Sequence, residues 1–350
     1  MKRFVLLLLV LAGNCRVLAD QVEYELRSFS RSEPTSVLSI AGDWDEPVGS
    51  GRKAFTVNFM AITAQMDHWT IGLFQRGEHY YRFTPDTALL KYQTENKIAL
   101  LPGKEYELAL TASGFEANGL SLGYDFATRM GDLGITLSLL EGQKITDGKL
   151  QGQANAISED DYDFSFDVDY FYSRDSLFDR NNRRPGALGF SLDIDYRYTS
   201  GKWSFELLAR DLVARLYWSD TPRTIATADS DTKRFDGDGY VVFDPVASGV
   251  ETTQDYTQDI RTKLFLTASW DAGPVDLLMN IDDYGIERLL SAGIRRRTHN
   301  ARYDLIYNFS AKAAGFDYLG DNLTLSLLLD DLRLSKAKSI SISFGYRGHF

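Results

Sequence analysis

Ser339-Ile340-Ser341-Ile342-Ser343-Phe344-Gly345-Tyr346-Arg347-Gly348-His349-Phe350 closes the sequence. Ile340, Ile342, Phe344, Tyr346, Gly348 and Phe350 alternate with Ser339, Ser341, Ser343, Gly345, Arg347 and His349. Successive side chains of a β-strand leave opposite faces, so this period of two describes a strand that is oily on one side and polar on the other, through to its last residue.

The pattern recurs upstream. Tyr162, Phe164, Phe166, Val168, Tyr170 and Tyr172 alternate with Asp163, Ser165, Asp167, Asp169, Phe171 and Ser173. Aliphatic and Phe positions fill the middle of that row and tyrosines stand at both ends, the layout of a lipid-facing band between two aromatic belts. Leu188, Phe190, Leu192, Ile194, Tyr196 and Tyr198 then oppose Gly189, Ser191, Asp193, Asp195, Arg197 and Thr199, and a Ser200-Gly201-Lys202 turn leads into Trp203, Phe205 and Leu207. Similar alternation covers residues 120–126, 133–139, 260–270, 275–281, 286–294, 303–311 and 323–329, and 53–128 contains more, in Phe55, Val57 and Phe59, in Trp69, Ile71 and Leu73, and in Tyr106, Leu108 and Leu110. A soluble sandwich also alternates, but it would bury the oily rows and set bare carboxylates on its outside in strand after strand.

A terminal strand of this kind, ending in an aromatic residue, resembles the last strand of bacterial outer-membrane β-barrels. The resemblance implies an all-β fold, a closed antiparallel transmembrane β-barrel. It also implies that Ile340, Ile342, Phe344, Tyr346 and Phe350 form the signal read by the barrel-assembly machinery, with outer-membrane lipid and lipopolysaccharide as surroundings.

The rest of the sequence agrees. Lys2 and Arg3, an apolar run over residues 4–12, and Val17-Leu18-Ala19 have the layout of a secretory signal peptide, residues 1–19. Its removal takes away Cys15, the single cysteine, and with it all thiol chemistry, and moves the formal charge from -11 to -14 because Lys2, Arg3 and Arg16 leave. An acidic chain with 38 Lys and Arg against 49 Asp and Glu is a poor partner for nucleic acid. Beyond the N-terminus the longest uncharged stretch, residues 54–66, is too short for a membrane helix, which takes about 20 residues. At roughly 20 residues per strand and connection, the exported chain holds about 16 strands, within 12 to 18. Residues 20–52 read as strands or a small periplasmic extension, and 53–350 as the barrel. If the chain ends in the periplasm, the 335–338 turn faces outside, as do the turns at 298–300 and 271–274. That count leaves the long 220–258 segment on the periplasmic side, where connections are short, unless residues 224–228 and 240–243 form an added hairpin.

Chemical motifs are scarce. Gly119-Leu120-Ser121-Leu122-Gly123 matches the serine-hydrolase elbow, but Ser121 sits in mid-strand instead of at a strand-to-helix turn. His68, His79, His299 and His349 fall at strand ends or turns with no metal-ligand spacing. Asp229, Asp231, Asp236 and Asp238 fail the EF-hand spacing. Neither a cofactor nor a metal is expected. The one constellation of note is the charged inner face, with Asp163, Asp167, Asp169, Asp193, Asp195, Asp276 and Asp304, and Glu287, opposed by Arg197, Arg261, Lys263, Arg295 and Arg297. Such charges need water or mutual pairing, which leaves two states: a water-filled, mildly cation-favouring pore, or a lumen stitched shut by ion pairs. Arg296 falls on the outer face, where it can meet lipopolysaccharide phosphates or snorkel. The expected role is a porin-like channel for small solutes. The alternatives are a closed barrel acting as scaffold or export component, with a periplasmic protein partner at residues 174–186, and a barrel-embedded hydrolase.

Overall fold

The computed structural model describes residues 19–174, 185–230, 233–235, 241–243 and 246–349. The signal-peptide reading, Phe350, most of 174–186 and Asp231, Asp236 and Asp238 lie outside them.

β1 (Gln21–Ser32) pairs with β2 (Lys53–Met66) on one side and β18 (Ser339–His349) on the other, so the two ends of the described chain close the wall. From β2 the antiparallel sheet passes through β3 (Trp69–Phe83), β4 (Glu105–Thr128), β5 (Gly131–Ala156), β7 (Gly186–Ser200) and β8 (Trp203–Asp229). It continues through β12 (Lys263–Asp271), β13 (Asp276–Asp283), β14 (Arg288–Arg297), β15 (Ala301–Asn308), β16 (Ala313–Gly320) and β17 (Leu323–Leu329) back to β18. Fourteen strands complete this ring. Two more, β6 (Tyr162–Tyr172) and β11 (Ala247–Asp259), extend the same sheet where β5 and β8 outrun their neighbours, giving 16 in all. Ring closure satisfies every ladder without leaving an edge in hydrocarbon, which is why strands can span a bilayer only as a barrel.

One end of the barrel, the terminal end, holds Gln21, His349 and the short turns at 67–68, 129–130, 201–202, 272–275, 298–300 and 321–322. The other, distal end carries α1 (Val37–Ala41), α2 (Pro85–Glu95), the 330–338 loop and the projecting sheet of β6, β11 and the outer halves of β4, β5 and β8. This corrects the sequence-based sidedness. The turns at 271–274 and 298–300 stand opposite the 335–338 turn because β16 intervenes, and residues 220–230 and 246–258, the parts of the long segment that extend β8 and form β11, are distal, with no parity conflict to resolve. The expected hairpin is also different: residues 224–228 continue β8 and pair with β11 and β6, while β10 (Val241–Phe243) pairs with β9 (Lys233–Phe235).

The outer face of the ring is apolar and bare. Leu137, Leu139, Leu188, Met279, Leu305 and Leu327 all point away from the protein, with Leu139 68% and Leu188 73% exposed. At the terminal end the band is edged by rings: Trp69 and Phe126 lie against Tyr124 at 4.6 Å each, Trp203 neighbours Trp270 at 6.5 Å, and Tyr303 neighbours Tyr318 at 5.4 Å. At the distal side polar Asn58, Gln75, Asn118 and Glu141 end it in the same outward rows. An apolar band with an aromatic girdle is the surface that hydrocarbon requires. Among the described residues no helix is long and apolar enough to cross a membrane.

The row Tyr162 to Tyr172 is a correction. It faces outward but lies in the projecting sheet, beyond the band, and protein covers it. Tyr162 and Phe164 pack with Leu90 and Leu100, at and just past α2, and with Tyr106, while Val168, Tyr170 and Tyr172 are buried with Ala226. The helices are set by their first residues: Ser36 accepts the Ser39 N–H at the start of α1, and Thr84, followed by Pro85, accepts the Thr87 N–H at the start of α2.

Candidate functional site: the lumen and its waist

Polar rows face the inside of the ring, and they meet one another. Arg76 of β3 donates from Nη1 to Asp211 Oδ1 of β8 at 2.9 Å. Lys263 of β12 lies 2.7 Å from Asp211 Oδ2 and 2.9 Å from Glu78 of β3. Strands that are distant around the ring are thus tied across its interior by four side chains that are each nearly fully buried. Tyr80 donates its hydroxyl to Glu78 at 2.8 Å, and Ser191 donates to Asp211 Oδ1 at 2.7 Å, so each acid accepts a hydrogen bond besides its ion pairs. That satisfaction is what makes charge tolerable out of bulk water.

Beside this network the walls touch through an aromatic ring. Phe59 of β2 carries the Arg27 guanidinium at 5.0 Å and that of Arg210, from β8, at 5.4 Å. Tyr284, in the β13–β14 turn, packs on Phe29 at 4.9 Å, Phe55 at 5.3 Å and Phe265 at 5.4 Å. The lumen is therefore pinched. On one side of the pinch is a cavity of about 330 Å³ bordered by Arg210, Arg302, Asp317, Ser326, Ser341 and Ser343. On the other is one of about 200 Å³ bordered by Thr63, Thr70, Ser121, Thr136, Ser138 and Asp193. Arg27, Val57, Phe59, Arg210 and Phe265 border both. Distal to the waist, Phe115, Ile145, Phe171, Leu216 and Trp218 form a protein-like core inside the barrel, where Gln258 accepts the Trp218 indole N–H at 3.1 Å and donates to the Gly114 carbonyl.

The sequence-predicted charges divide into four groups. Lys263 belongs to the waist. Asp193 adjoins it, accepting the Asp211 N–H at 2.8 Å, and Arg261 lies over the Tyr80 ring at 5.2 Å. Asp276 with Arg297 (2.9 Å), Arg295 with Asp304 (2.9 Å) and Asp195 with Arg197 (3.4 Å) line the terminal half as pairs. Glu287 accepts from Arg31 at 2.7 Å near the distal rim. Asp163, Asp167 and Asp169 are elsewhere, on the projecting sheet. There Ser230 donates to Asp163, Thr227 to Asp167, and Arg223 makes two 2.8 Å bonds to Asp169, whose carboxyl those bonds hold below the ordinary range. Ile340, Ile342, Phe344 and Tyr346 stand on the outer face of β18. Arg296 is outward too, but at the terminal end beside the 298–300 turn.

Sequence reasoning missed Arg76, Glu78, Asp211 and Arg27; Phe59 belongs to an apolar alternating row, Phe55, Val57 and Phe59, that the structure turns into the lumen. Arg76 and Glu78 were within reach, since Trp69, Ile71 and Leu73 fix the parity of β3. Asp211 was not: its positive φ of 55° marks a bulge that breaks the alternation of β8. His79, expected at a strand end, lies inside β3 on the outward face. The G-x-S-x-G match has a packing origin. Gly119 faces Phe74, and a Cβ there would fall 2.2 Å from Phe74 Cζ, so only glycine admits the ring; Ser121 is in mid-strand as expected.

No family model and no curated protein matches the chain. Among solved structures, the toluene transporter TodX of P. putida is similar, at 10% identity over 97% of this chain and 92% of that one, with a TM-score of 0.46. The translocator domain of the autotransporter NalP from Neisseria meningitidis matches at 9% identity over 100% and 96%, TM-score 0.32. The outer membrane protease OmpT from Escherichia coli matches at 11% over 95% and 97%, TM-score 0.25. At such identities and scores these likenesses bear on neither substrate nor activity.

Proposed function

We propose that this chain is a bacterial outer-membrane channel for small solutes, gated at the waist of its barrel, with the terminal end in the periplasm. The observation that supports this reading is the pair of cavities, about 330 and 200 Å³, that lie on either side of Phe59 in the lumen. Hydroxyl and charged groups border both, so a solute that displaces water there finds replacement hydrogen bonds. The barrier between them is built of ion pairs and cation–π contacts, interactions a passing polar molecule can exchange with its own.

Purified protein in planar bilayers tests the reading. Brief, low-conductance openings are expected from the wild type, and Phe59→Ala is expected to lengthen and enlarge them by removing the ring on which Arg27 and Arg210 rest. Silence from both proteins, with the barrel shown intact by heat-modifiable gel migration, would overturn the channel and favour the closed scaffold.

A further inference from the structure

Outside the barrel wall, at the distal end, a cavity of about 680 Å³ separates α1 and α2 from the outward rows of β1 to β4. Its walls are Val37, Ile40, Trp44, Tyr81, Phe83 and Leu110, with Ala54 and Ala88 at its base. Ser30, Thr56 and His79 form its membrane-side floor and Lys91 of α2 stands at its rim. Arg31 and Phe55 contribute to the border from strand positions whose side chains turn into the lumen, Arg31 towards Glu287.

Three features of this cavity point to one class of occupant. It is mostly apolar with a few convergent polar groups, and its volume falls in the range of ligand sites. Second, no carboxylate borders it, although the chain carries 49 Asp and Glu and a formal charge of -11; its titratable side chains are His79 and Lys91, beside Tyr81. Lys91 does pair with Glu95, one turn along the exposed face of α2, but an exposed i,i+4 pair is weak and exchangeable. Third, the cavity neighbours the lipid-facing band. A groove of about 340 Å³ on the outer wall, past Leu26, Met60, Asn58, Gln75 and Gly77, reaches His79, which borders both spaces; Glu116 also borders the groove, paired with Lys144.

We propose that this cavity binds the acyl chain of an amphiphile bearing an anionic headgroup, taken from the outer leaflet along the groove. The chain lies against Trp44, Phe83 and Leu110, and the headgroup meets Lys91 and His79 at the polar edge. A free fatty acid and an anionic phospholipid share this chemistry.

Trp44 reports on the site directly. The full-length protein in nanodiscs of zwitterionic lipid is titrated with a dibrominated fatty acid, its methyl ester, and a dibrominated phosphatidylglycerol. The Trp44 contribution is the difference between the wild type and Trp44→Phe. Saturable quenching by the acid is expected, at least about threefold tighter than by the ester, a difference of under 1 kcal/mol in scale with one exposed charge contact. Lys91→Ala should erase the gap between acid and ester, and Ala41→Phe, which narrows the mouth from an exposed position of α1, should weaken both. Stronger quenching by the acid than by phosphatidylglycerol identifies a diffusible ligand, and the reverse identifies a resident lipid; either sustains the site. Absence of Trp44-specific quenching, or quenching equal for acid and ester and untouched by Ala41→Phe, overturns it.

Discussion

Arg76 and Asp211 join walls of the barrel that are far apart around the ring, Nη1 to Oδ1 at 2.9 Å, with the arginine 8% and the aspartate 1% exposed. An ion pair placed there acts as a strut. Removing Arg76 leaves Lys263 as the cluster's only cation for Asp211 and Glu78, an uncompensated negative charge in a low-dielectric lumen, which costs about 3–5 kcal/mol. Arg76→Ala is therefore expected to lower the barrel's stability by that order in urea unfolding from detergent micelles. The double variant Arg76→Met, Asp211→Leu should recover most of the loss, because two apolar side chains leave no charge unpaired. A double variant as weak as the single one would contradict the strut.

Lipid exposure of the outer rows predicts a depth-dependent response. Leu137→Arg puts a cation in the middle of the apolar band and should cost about 2–4 kcal/mol in folding into bilayers. Glu141→Arg, four residues on in the same row but at the polar edge, should cost about 0–1 kcal/mol. Equal costs would mean that the row does not face hydrocarbon.

Gly119→Ala should destabilise by about 1–3 kcal/mol, the usual range for overpacking, because its methyl group meets the Phe74 ring. Phe74→Leu in the same protein should relieve part of that cost. If Gly119→Ala is neutral by thermal unfolding, the close approach of β4 to Phe74 is absent. Ser121→Ala, in the same five-residue match, should leave stability nearly unchanged.

The projecting sheet carries its own pH response. Arg223 holds the Asp169 carboxyl below its ordinary value, first through its two hydrogen bonds. A carboxyl depressed by folding adds stability above its unfolded pKa, about 3.9, and that stability is lost as pH falls through the lower folded value. Acid-tolerant proteolysis of the projecting sheet should accelerate below about pH 4. Asp169→Asn should abolish this step and be more easily cleaved at neutral pH. An unchanged acid profile in Asp169→Asn would assign the step to another group.

Strand identity was legible where one face is uniformly apolar. In β18, β17 and β7 the outward rows are Ile, Leu and Phe against Ser, Thr and Asp, and periodicity located each of them. β16 escaped because Ala313 and Leu319 interrupt its inner row while Gly315 and Gly320 dilute both, so neither face stands out. Losing that one strand reversed the assigned end of every turn upstream of it. The row Tyr162 to Tyr172 shows the opposite failure: its alternation matches a membrane strand, yet α2 and neighbouring strands cover it. A pattern of two reports that one face is apolar, and not whether hydrocarbon or protein meets it.

What the sequence determined by itself was the alternation of side chains along each regular strand, because that depends only on local backbone geometry: most oily rows out and charged rows in, with a barrel as the form that keeps both, although the Phe55, Val57 and Phe59 row of β2 turns into the lumen. Closure at 14 strands with two projecting beyond, the strut from Arg76 to Asp211 and the pinch at Phe59 came only with tertiary structure. They depend on which residues from distant strands arrive at the same depth, and that is set by register and bulges accumulated around the whole ring, such as the one at Asp211.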